Sequence, residues 1–426
     1  MFLIFRLPFF KIDGLSRKSI TAFFLIKVVA GLALFFLYTY FYTDRKTADI
    51  FKYYDDSKIL FDTFFTNPEH FFRMLFGIDN NTSEFTGYYT SMNNWYREYE
   101  SNLYNDSHTI IRINAVLRFF SFGCFNVHTV FMSFFSLLGL TAIYKTFRII
   151  IRDKKNMLAI AVFLVPSVVF WGSGVLKESI LIFGLGFLFW FYHKLFLIRF
   201  SWISLAWVII SLILLRFTKF YILVAVLPGF IANTWLMLTA YRKPILKYAV
   251  VLILYVISAF GIHYLLPEYS PFDILYIKQK DFINLSLFMQ SGSFIQPPSL
   301  DNGLISFFIG IPLALFNCVF RPFFFESTNP FILLAGIENF FIILLIIISI
   351  VFSSKSKPNA MIFLFSLSFV LLLFTLIGMV TPVMGAIVRY KVPALPFLIS
   401  ALVMIINKEK LIAFFPVLKK LKKIKL

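Results

Sequence analysis

Charged residues, cysteine and histidine are scarce in this sequence, and these shortages limit what it can be. Only 14% of its 426 residues are charged, whereas a typical soluble domain has about 25%. The two cysteines, Cys124 and Cys318, do not have the spacing of a metal site. The five histidines are scattered and form no ligand pair. The sequence therefore indicates no metal and no cofactor.

Motifs of soluble catalysts are also missing. There is no Walker A motif, no G-x-S-x-G and no H-E-x-x-H, so ATP hydrolysis and the usual hydrolase sites are not expected. Internal repeats, which many transporters carry, are not evident. The formal net charge is +19, yet no basic stripe lies on a soluble domain, so we expect no nucleic-acid partner. Such positive charge is typical of cytoplasmic loops that contact membrane lipids.

Hydrophobic residues, in contrast, are present in excess. They make up 60% of the chain, and Phe alone contributes 59 residues. The mean hydropathy is +0.84. A soluble domain of this length could not bury so much apolar surface, so the solvent around the chain must be lipid. We therefore predict an all-α fold class, a polytopic transmembrane helical bundle, with residues 1–426 forming a single integral membrane domain.

Ten apolar runs are candidates for spanning helices. The first run lacks a small-residue cleavage site, so it is interpreted as a span and not as a signal peptide. The runs are 19–43, 125–147, 157–172, 178–197, 202–216, 220–240, 248–266, 331–353, 359–379 and 387–406.

Lysine and arginine indicate how these runs are oriented. They concentrate in the N-terminal flank, in the loops at 148–155 and 242–247, and in the tail 409–426. Positive loops face the cytoplasm, so we expect cytoplasmic N- and C-termini and an even number of spans. A further apolar stretch, 304–322, would make that number odd. We therefore predict that 304–330, which several Gly and Pro residues interrupt, is re-entrant or lies along the outer interface.

Two further basic features allow more than one interpretation. The tail 409–426 alternates apolar and Lys positions at helical spacing, so it is either an amphipathic helix on anionic lipid or a solvated basic tail. Lys27 lies inside the first span. Snorkelling of its side chain to the cytoplasmic face is favoured over a catalytic role.

Two long segments fall on the outer side of the predicted membrane. Residues 44–124 contain 11 of the 21 acidic residues and are expected to form an outer loop with interfacial helices. This loop is rich in Tyr, Asn and Trp, which suit sugars because aromatic rings stack on pyranose faces and amides bind hydroxyls. The same residues are also common in the interfacial belt of ordinary membrane proteins. The second outer segment, 266–330, is less charged and rich in Pro and Phe.

Cations gather near the outer ends of the predicted spans. Ionisable groups at this depth are costly and often functional. Several cations at one level favour a bound anion, and a phosphate or pyrophosphate headgroup suits Arg, which binds it bidentately. Individually, they could instead snorkel or pair with Glu178, Glu326 or Glu338. The cations are Arg112, Arg118, Lys177, Arg216, Lys219, Arg321, Arg389 and Lys391.

Short motifs spread along the chain resemble membrane enzymes of glycan assembly. The spacing Asp49-x-x-x-Tyr53, in an acidic loop straight after the first span, looks like membrane glycosyltransferases of the GT-C class. The stretch 166–178, which ends in Lys177-Glu178, resembles a segment of bacterial polysaccharide-assembly proteins, including Wzy-type O-antigen polymerases. Two later motifs resemble the same group, and they are Phe320-Arg321-Pro322 followed by Glu338-Asn339, and Gly385-x-x-x-Arg389-Tyr390-Lys391-Val-Pro393.

The resemblance implies a sugar donor on polyprenyl phosphate or pyrophosphate, and a reaction on the outer face of the bacterial cytoplasmic membrane. A loop carboxylate would act as general base on the acceptor hydroxyl. Asp49 matches that position best, with Asp44, Asp55 and Asp56 as rivals. The choice stays open, because Asp44 is followed by Arg45 and the paired-acid motif of the protein O-mannosyltransferases is absent.

The resemblance also implies which side chains bind the lipid phosphate. Arg321 and Arg389 match the outer-face arginines that grip the pyrophosphate in Wzy-type polymerases. No metal is required by this chemistry. The helping cations are Lys177, Lys391, Arg112 and Arg216, and the supporting side chains are Glu178, Tyr53, Tyr390 and Glu338.

Two other functions remain open at this point. A flippase or transporter of lipid-linked oligosaccharide would place charged groups along a path through the middle of the bilayer. A non-catalytic scaffold of an envelope complex would leave the outer acidic loop and the cations at 112, 177, 321 and 389 dispersed. The sugar, its linkage and any protein partners cannot be read from the sequence.

Overall fold

All of the regular secondary structure in the described part of the chain is helical. The structure is a computed structural model, and it describes residues 1–96, 104–301, 304–326, 329–355 and 358–415. These residues contain three isolated β-bridges and no strand. The predicted all-α fold class is confirmed.

Twenty α-helices are described, together with three short 3-10 helices at Pro8–Phe10, Ser83–Phe85 and Pro267–Tyr269. In chain order the α-helices are α1 (Phe2–Arg6), α2 (Arg17–Tyr40), α3 (Asp49–Thr66), α4 (Pro68–Phe76), α5 (Thr86–Thr90), α6 (Ser107–Ser121), α7 (Phe125–Ile150), α8 (Lys155–Phe163), α9 (Pro166–Trp171), α10 (Lys177–Leu197), α11 (Trp202–Thr218), α12 (Phe220–Leu238), α13 (Pro244–Leu265), α14 (Pro271–Phe288), α15 (Leu304–Phe320), α16 (Pro330–Val351), α17 (Ala360–Val380), α18 (Met384–Tyr390), α19 (Leu395–Ile405) and α20 (Lys408–Phe414).

Seven of the described helices are long and apolar enough to cross a membrane. They are α2, α7, α10, α12, α13, α16 and α17. The pair α18 and α19 would make an eighth span, although it is bent by 67°. The chain is therefore an integral membrane protein by the length and composition of its helices. The predicted count of ten spans is not confirmed.

Three predicted runs account for the difference in number. The run 157–172 is divided into α8 and α9, because Pro166 lacks an N–H and holds the preceding Val165 in an extended conformation. The run 202–216 forms α11, which has only 17 residues. The run 387–406 is broken between α18 and α19 by a turn at 391–394, which contains Pro393.

A glycine crossing holds α7 and α10 together. A Cβ built at Gly186 would lie 2.1 Å from the carbonyl oxygen of Gly139, and one at Gly139 would lie 2.1 Å from that of Ile182. Only glycine permits so close an approach of two backbones. The crossing fixes the position of α10, whose first turn carries Lys177 and Glu178.

The described parts of the segment 44–124, residues 44–96 and 104–124, contain helices α3 to α6 and a hydrophobic cluster that includes Phe51, Leu60 and Phe71. The carboxylate of Asp56 accepts hydrogen bonds from the backbone N–H groups of Asn93 and Asn94, both at 2.8 Å. It thereby ties α3 to the chain beyond α5. This segment presents the first turn of α3 to the end of the helical bundle.

Helix α15 and the chain after it turn back within the fold. A Cβ at Gly378 of α17 would lie 2.1 Å from the carbonyl oxygen of Ala314, so α15 packs closely on α17. The amide of Asn339, in the middle of α16, donates to the carbonyl of Phe320 at the end of α15. The backbone at Phe324 then lies beside Gly336, which is nearer the start of α16. Residues 320–324 therefore run alongside α16 towards its first residue. The predicted re-entrant or interfacial position of 304–330 in a membrane stays a prediction.

Two basic features have different outcomes. Residues 416–426 of the predicted tail lie outside the described residues, and α20 is the described part of that region. Lys27 does not snorkel along α2, since its side chain is fully buried and its Nζ donates to the carbonyl of Val168 at 3.4 Å. The carbonyl belongs to α9, the short helix after the break at Pro166. The snorkelling interpretation treated 157–172 as one continuous helix and so did not consider this partner.

Candidate functional site

Arg389, at the end of α18, is bound by two carboxylates from distant parts of the chain. Its Nη1 donates to Oδ2 of Asp49 at 2.7 Å. Its Nε and Nη2 donate to the two carboxylate oxygens of Glu178 at 2.9 and 3.2 Å. The guanidinium fork thus holds Glu178 bidentately and Asp49 through one further bond.

Helix starts position both carboxylates. Asp49 lies in the first turn of α3 and Glu178 in the first turn of α10. Helix N-termini carry partial positive charge and stabilise carboxylates placed there. The sequence therefore sets two acidic side chains at helix ends, and the packing of α18 brings Arg389 between them.

Two lysines complete the site. Lys219, between α11 and α12, has its Nζ 3.6 Å from Oε1 of Glu178 and 3.8 Å from the ring centre of Tyr390. Lys177 binds Oδ1 of Asp106 at 2.8 Å and donates to the hydroxyl of Ser107 at 3.2 Å. Its Nζ also lies 5.1 Å from the ring centre of Tyr53, a cation–π distance.

We call the following six residues the charge cluster. It has three cations and three carboxylates, so its formal charge is balanced. Its members are Asp49, Asp106, Lys177, Glu178, Lys219 and Arg389.

Burial is uneven across the charge cluster. The side chain of Glu178 is 1% exposed and that of Lys219 is 7% exposed. The side chain of Asp49, in contrast, is 35% exposed. Asp49 is therefore the carboxylate that a molecule outside the protein reaches most readily.

Asp49 and Lys219 both lie between apolar helices, and their surroundings shift the pKa of each. Burial favours a higher pKa for Asp49, but Arg389 and then Lys177 outweigh it and hold the pKa of that carboxyl below its usual value. Burial lowers the pKa of Lys219 to about 8, although Glu178 opposes the shift. Asp49 is therefore ionised at neutral pH, and Lys219 changes its charge in the mildly alkaline range.

A cleft opens beside Asp49, between the end of α2 and the start of α3. Its volume is about 330 Å³, and its wall includes Ala48, the residue before Asp49. The Cζ atom of the Arg389 guanidinium lies 5.6 Å from the ring centre of Trp171. The lining residues of the cleft are Tyr38, Tyr42, Thr43, Asp44, Thr47 and Ala48.

The predicted catalytic carboxylates separate in space. Asp49 belongs to the charge cluster, and Asp44 lines the cleft beside it. Asp55 pairs with Arg45 at 2.7 Å on the surface. Asp56 is buried and binds the backbone N–H of Asn93 within the segment 44–124. Neither Asp55 nor Asp56 faces Arg389 in these contacts.

The predicted phosphate-binding cations separate as well. Arg389 and Lys177 lie in the charge cluster, together with the predicted supporting residues Glu178, Tyr53 and Tyr390. Arg112 instead donates to the carbonyl of Met74 at 2.9 Å and stacks on Trp95 in the outer segment. Arg216 is exposed beside Phe220.

Lys391, Arg321 and Glu338 form contacts of another kind. The Nζ of Lys391 donates to the carbonyls of Cys318 and Arg321, at 3.1 and 3.3 Å, and to Oδ1 of Asn339 at 3.0 Å. Lys391 thus satisfies backbone carbonyls at the end of α15. Arg321 itself pairs with Glu326 at 3.0 Å.

Glu338 binds α9 at its start. Its two carboxylate oxygens accept hydrogen bonds from the backbone N–H and the hydroxyl of Ser167, both at 2.6 Å. It therefore acts as a cap for the first turn of the broken helix. This contact anchors the segment that leads to Trp171.

Sequence reasoning missed part of the charge cluster. Lys219 was one of the predicted outer cations but was not among the predicted site residues. Its position directly after α11 was the signal that could have included it. Trp171 lies in the stretch 166–178 that resembles polysaccharide-assembly proteins, but it had no assigned role, and Asp106 had no signal of its own. Their roles depend on contacts with Arg389 and Lys177. No group of three or more His, Cys, Asp or Glu side chains in the described ranges could hold a metal ion.

No known protein family, no curated protein and no solved structure matches this chain. Function must therefore be inferred from the charge cluster, the cleft beside it and the helices that position them.

Proposed function

We propose that this chain is a membrane glycosyltransferase or polysaccharide polymerase. It transfers a sugar, or a sugar repeat, from a polyprenyl phosphate or pyrophosphate donor to an acceptor hydroxyl on the outer face of the bacterial cytoplasmic membrane. The observation that supports this most is the 2.7 Å contact between Asp49 and Arg389. In the proposal, the carboxylate accepts the proton of the acceptor, and the cations near it hold the leaving phosphate.

The three cations suit a phosphate that gains negative charge as it leaves. Arg389 presents its donors in a fork that matches two oxygens of one phosphate. The side chains of Lys177 and Lys219 are both 7% exposed, so their charges act in surroundings with little water. Preorganised cations in such surroundings stabilise a developing anion more strongly than they would in water.

Asp49 is the base in this proposal, and donor binding prepares it. Before the donor binds, Arg389 holds the pKa of Asp49 below its usual value, which makes the carboxylate a weak base. A phosphate that draws the guanidinium away leaves Asp49 partly buried with one cation fewer. The pKa of Asp49 then rises, so the carboxylate becomes a better proton acceptor when the donor is in place.

The transfer step follows from this arrangement. The acceptor oxygen forms a bond to the anomeric carbon of the donor sugar, and its proton passes to Asp49. The bond between that carbon and the phosphate oxygen breaks, and the phosphate leaves with the electron pair. Arg389, Lys177 and Lys219 balance the charge that accumulates on it.

The opposite end of the bundle supports the proposed orientation. At the far end of α7, Arg148 pairs with Asp13 at 2.8 Å. Lys154 donates to the carbonyls of Val403 and Met404 at the end of α19. Because basic residues of this kind favour the cytoplasmic side, the charge cluster would lie at the outer end.

The competing functions have less support. A flippase needs charged groups along the middle of the bundle, and the charge cluster is instead confined to one end, with Lys27 deeper and bound to Val168. A scaffold would leave the outer cations dispersed. Lys177 and Arg389 lie in one cluster with Asp49, whereas Arg112 and Arg321 lie apart from it.

The test compares glycan in cells that carry single variants. We expect Asp49→Asn and Arg389→Ala to lower lipid-linked or polymeric glycan by about 100-fold or more, the scale of a lost acid–base group. Asp55→Asn is the matched control, because Asp55 lies on the same helix and pairs with Arg45 at the surface. Asp49→Asn and Asp55→Asn should reach the membrane in equal amounts, whereas glycan in Arg389→Ala is compared per amount of protein in the membrane, because Arg389 also pairs with buried Glu178.

The stage at which glycan accumulates separates the candidate functions. Single repeats on the outer leaflet support a polymerase. Lipid-linked glycan trapped on the cytoplasmic leaflet would favour a flippase. Normal glycan in both site variants would contradict the proposed site.

A further inference from the structure

The cleft beside Asp49 is lined by residues that take no part in the proposed transfer step. Its six lining residues come from the end of α2 and from the chain between α2 and α3. The ring of Tyr42 is 42% exposed, and Asp44 and Thr47 are exposed as well. The cleft is therefore open to a molecule from outside the protein.

The chemistry of the cleft differs from that of the charge cluster. The Tyr38 and Tyr42 rings lie 5.6 Å apart at 37°, so they offer two angled aromatic faces. Thr43 and Thr47 supply hydroxyls and Asp44 supplies a carboxylate, while none of the six lining residues is a cation. A phosphate would meet a carboxylate there without a counterion.

A sugar fits these groups better than a lipid chain or a phosphate does. The C–H face of a pyranose packs on an aromatic ring, and its hydroxyls bond to carboxylate and hydroxyl oxygens. The volume of about 330 Å³ is near the lower limit of small-molecule sites, about 300–1,000 Å³. That volume suits a small sugar unit at the end of a chain.

We infer that this cleft binds the sugar acceptor, with Tyr42 as the aromatic face on which its terminal ring packs and Asp44 as a hydroxyl contact. The assignment of an acceptor, rather than of any sugar, rests on the proposed function. Ala48 lines the cleft and Asp49 follows it. A hydroxyl held there would lie near Asp49, the next residue along the chain.

The division of charge supports this assignment. In the proposal the phosphate of the donor binds in the charge cluster, which contains Arg389, Lys177 and Lys219. The acceptor, which is neutral at its reacting end, takes the side with rings and hydroxyls. Asp49 belongs to the charge cluster and directly follows the cleft residue Ala48, so it is near both proposed binding regions.

Binding of simple glycosides to the purified full-length chain in detergent tests the cleft without any transfer. The probes are the methyl glycosides of glucose, galactose, N-acetylglucosamine and rhamnose, with mannitol as a polyol that has no ring face. Saturation-transfer NMR should show contact with the ring protons of at least one glycoside and none with mannitol. Absence of contact with all four glycosides would overturn the inference.

Variants assign the contact to the cleft. Tyr42→Ala should weaken glycoside binding about tenfold through loss of an aromatic face, and Tyr42→Trp should keep it. Tyr96→Ala is the matched control, since Tyr96 is a comparably exposed tyrosine, 49% exposed, in the same outer segment. Unchanged binding in Tyr42→Ala would overturn the inference.

The outcome is separable from that of the proposed function. Asp49→Asn should abolish glycan assembly and leave glycoside binding within about twofold of wild type, because Asp49 does not line the cleft. If glycan assembly survives in Asp49→Asn, the proposed transfer fails while the sugar site stands. If Tyr42→Ala binds glycosides normally, the cleft fails while the transfer stands.

Discussion

The guanidinium of Arg389 lies 2.7 Å from the carboxylate of Asp49, although the two residues are 340 positions apart in the chain. The same guanidinium binds Glu178, so one side chain connects α18, α3 and α10. Arg389 therefore has a structural role and, in the proposed function, a chemical one. The predictions below separate the two.

Glu178→Gln and Asp49→Asn should differ in which property they change. Glu178 is 1% exposed and receives two of the three Arg389 bonds. Removing its charge leaves a buried cation poorly compensated, which typically costs about 3–5 kcal/mol. Asp49→Asn should lower the melting temperature much less, because its side chain is 35% exposed, and yet abolish glycan assembly. Thermal unfolding in detergent and glycan analysis check both, and equal melting temperatures would contradict this division.

Lys219 should give the activity an alkaline limit. Its pKa in the folded protein is about 8, below the ordinary value of 10.5. Activity that needs the charged lysine falls as the pH rises through about 8. The sign for stability is opposite, because between about 8 and 10.5 the unfolded chain binds more protons, so the free energy of unfolding increases with pH.

Lys219→Arg is the matched variant for this limit. Arginine stays charged throughout this range, so the alkaline limb of the activity profile should move above pH 10. The measurement is initial transfer rate against pH in membranes. If the transfer rate of Lys219→Arg still falls near pH 8, a group other than Lys219 causes the loss of activity.

Asp56→Asn should loosen the outer segment while Asp55→Asn leaves it intact. Both oxygens of Asp56 accept backbone N–H bonds at 2.8 Å, and the residue is buried. An amide can accept only on its one oxygen, so one N–H loses its partner. Limited proteolysis from the outer side should cut the Asp56 variant faster within 44–124. Equal cleavage in the two variants would show that the two hydrogen bonds of Asp56 are not required to hold this segment.

Gly186→Ala should prevent correct assembly, and Gly261→Ala should not. A Cβ at Gly186 would lie 2.1 Å from the carbonyl of Gly139, whereas one at Gly261 meets no atom within 4 Å. Both glycines lie in long apolar helices, α10 and α13. Size-exclusion chromatography of the solubilised variants should give a folded peak for Gly261→Ala only. A folded Gly186 variant would mean that α7 and α10 can move apart.

The composition and the helix breakers explain which parts of the fold could be predicted. Apolar runs identify helices in lipid because no other regular structure satisfies the backbone there without neighbours. The division of α8 from α9 was overlooked, although Pro166 marks it in the sequence. The run was interpreted from hydropathy alone, and hydropathy does not register a missing N–H.

Neighbouring residues in the sequence proved to have different surroundings. Arg389 and Lys391 were grouped as phosphate-binding cations, yet Lys391 binds the carbonyls at the end of α15 and Arg389 binds carboxylates. Positions two apart on a helix point in nearly opposite directions, at 3.6 residues per turn. Asp55 and Asp56 are consecutive residues of α3, about 100° apart around the helix, and one lies at the surface while the other is buried.

The sequence by itself determined that this is an all-helical membrane protein with its acids concentrated after the first apolar helix, because composition and local pattern decide how each segment meets lipid or water. Only the tertiary structure decided that Asp49 and Glu178 share Arg389, that Lys219 joins them and that a cleft opens beside Asp49. Those relationships depend on the packing of helices from distant parts of the chain. A charge in the sequence has a sign and a position, but its partner is chosen when the helices pack.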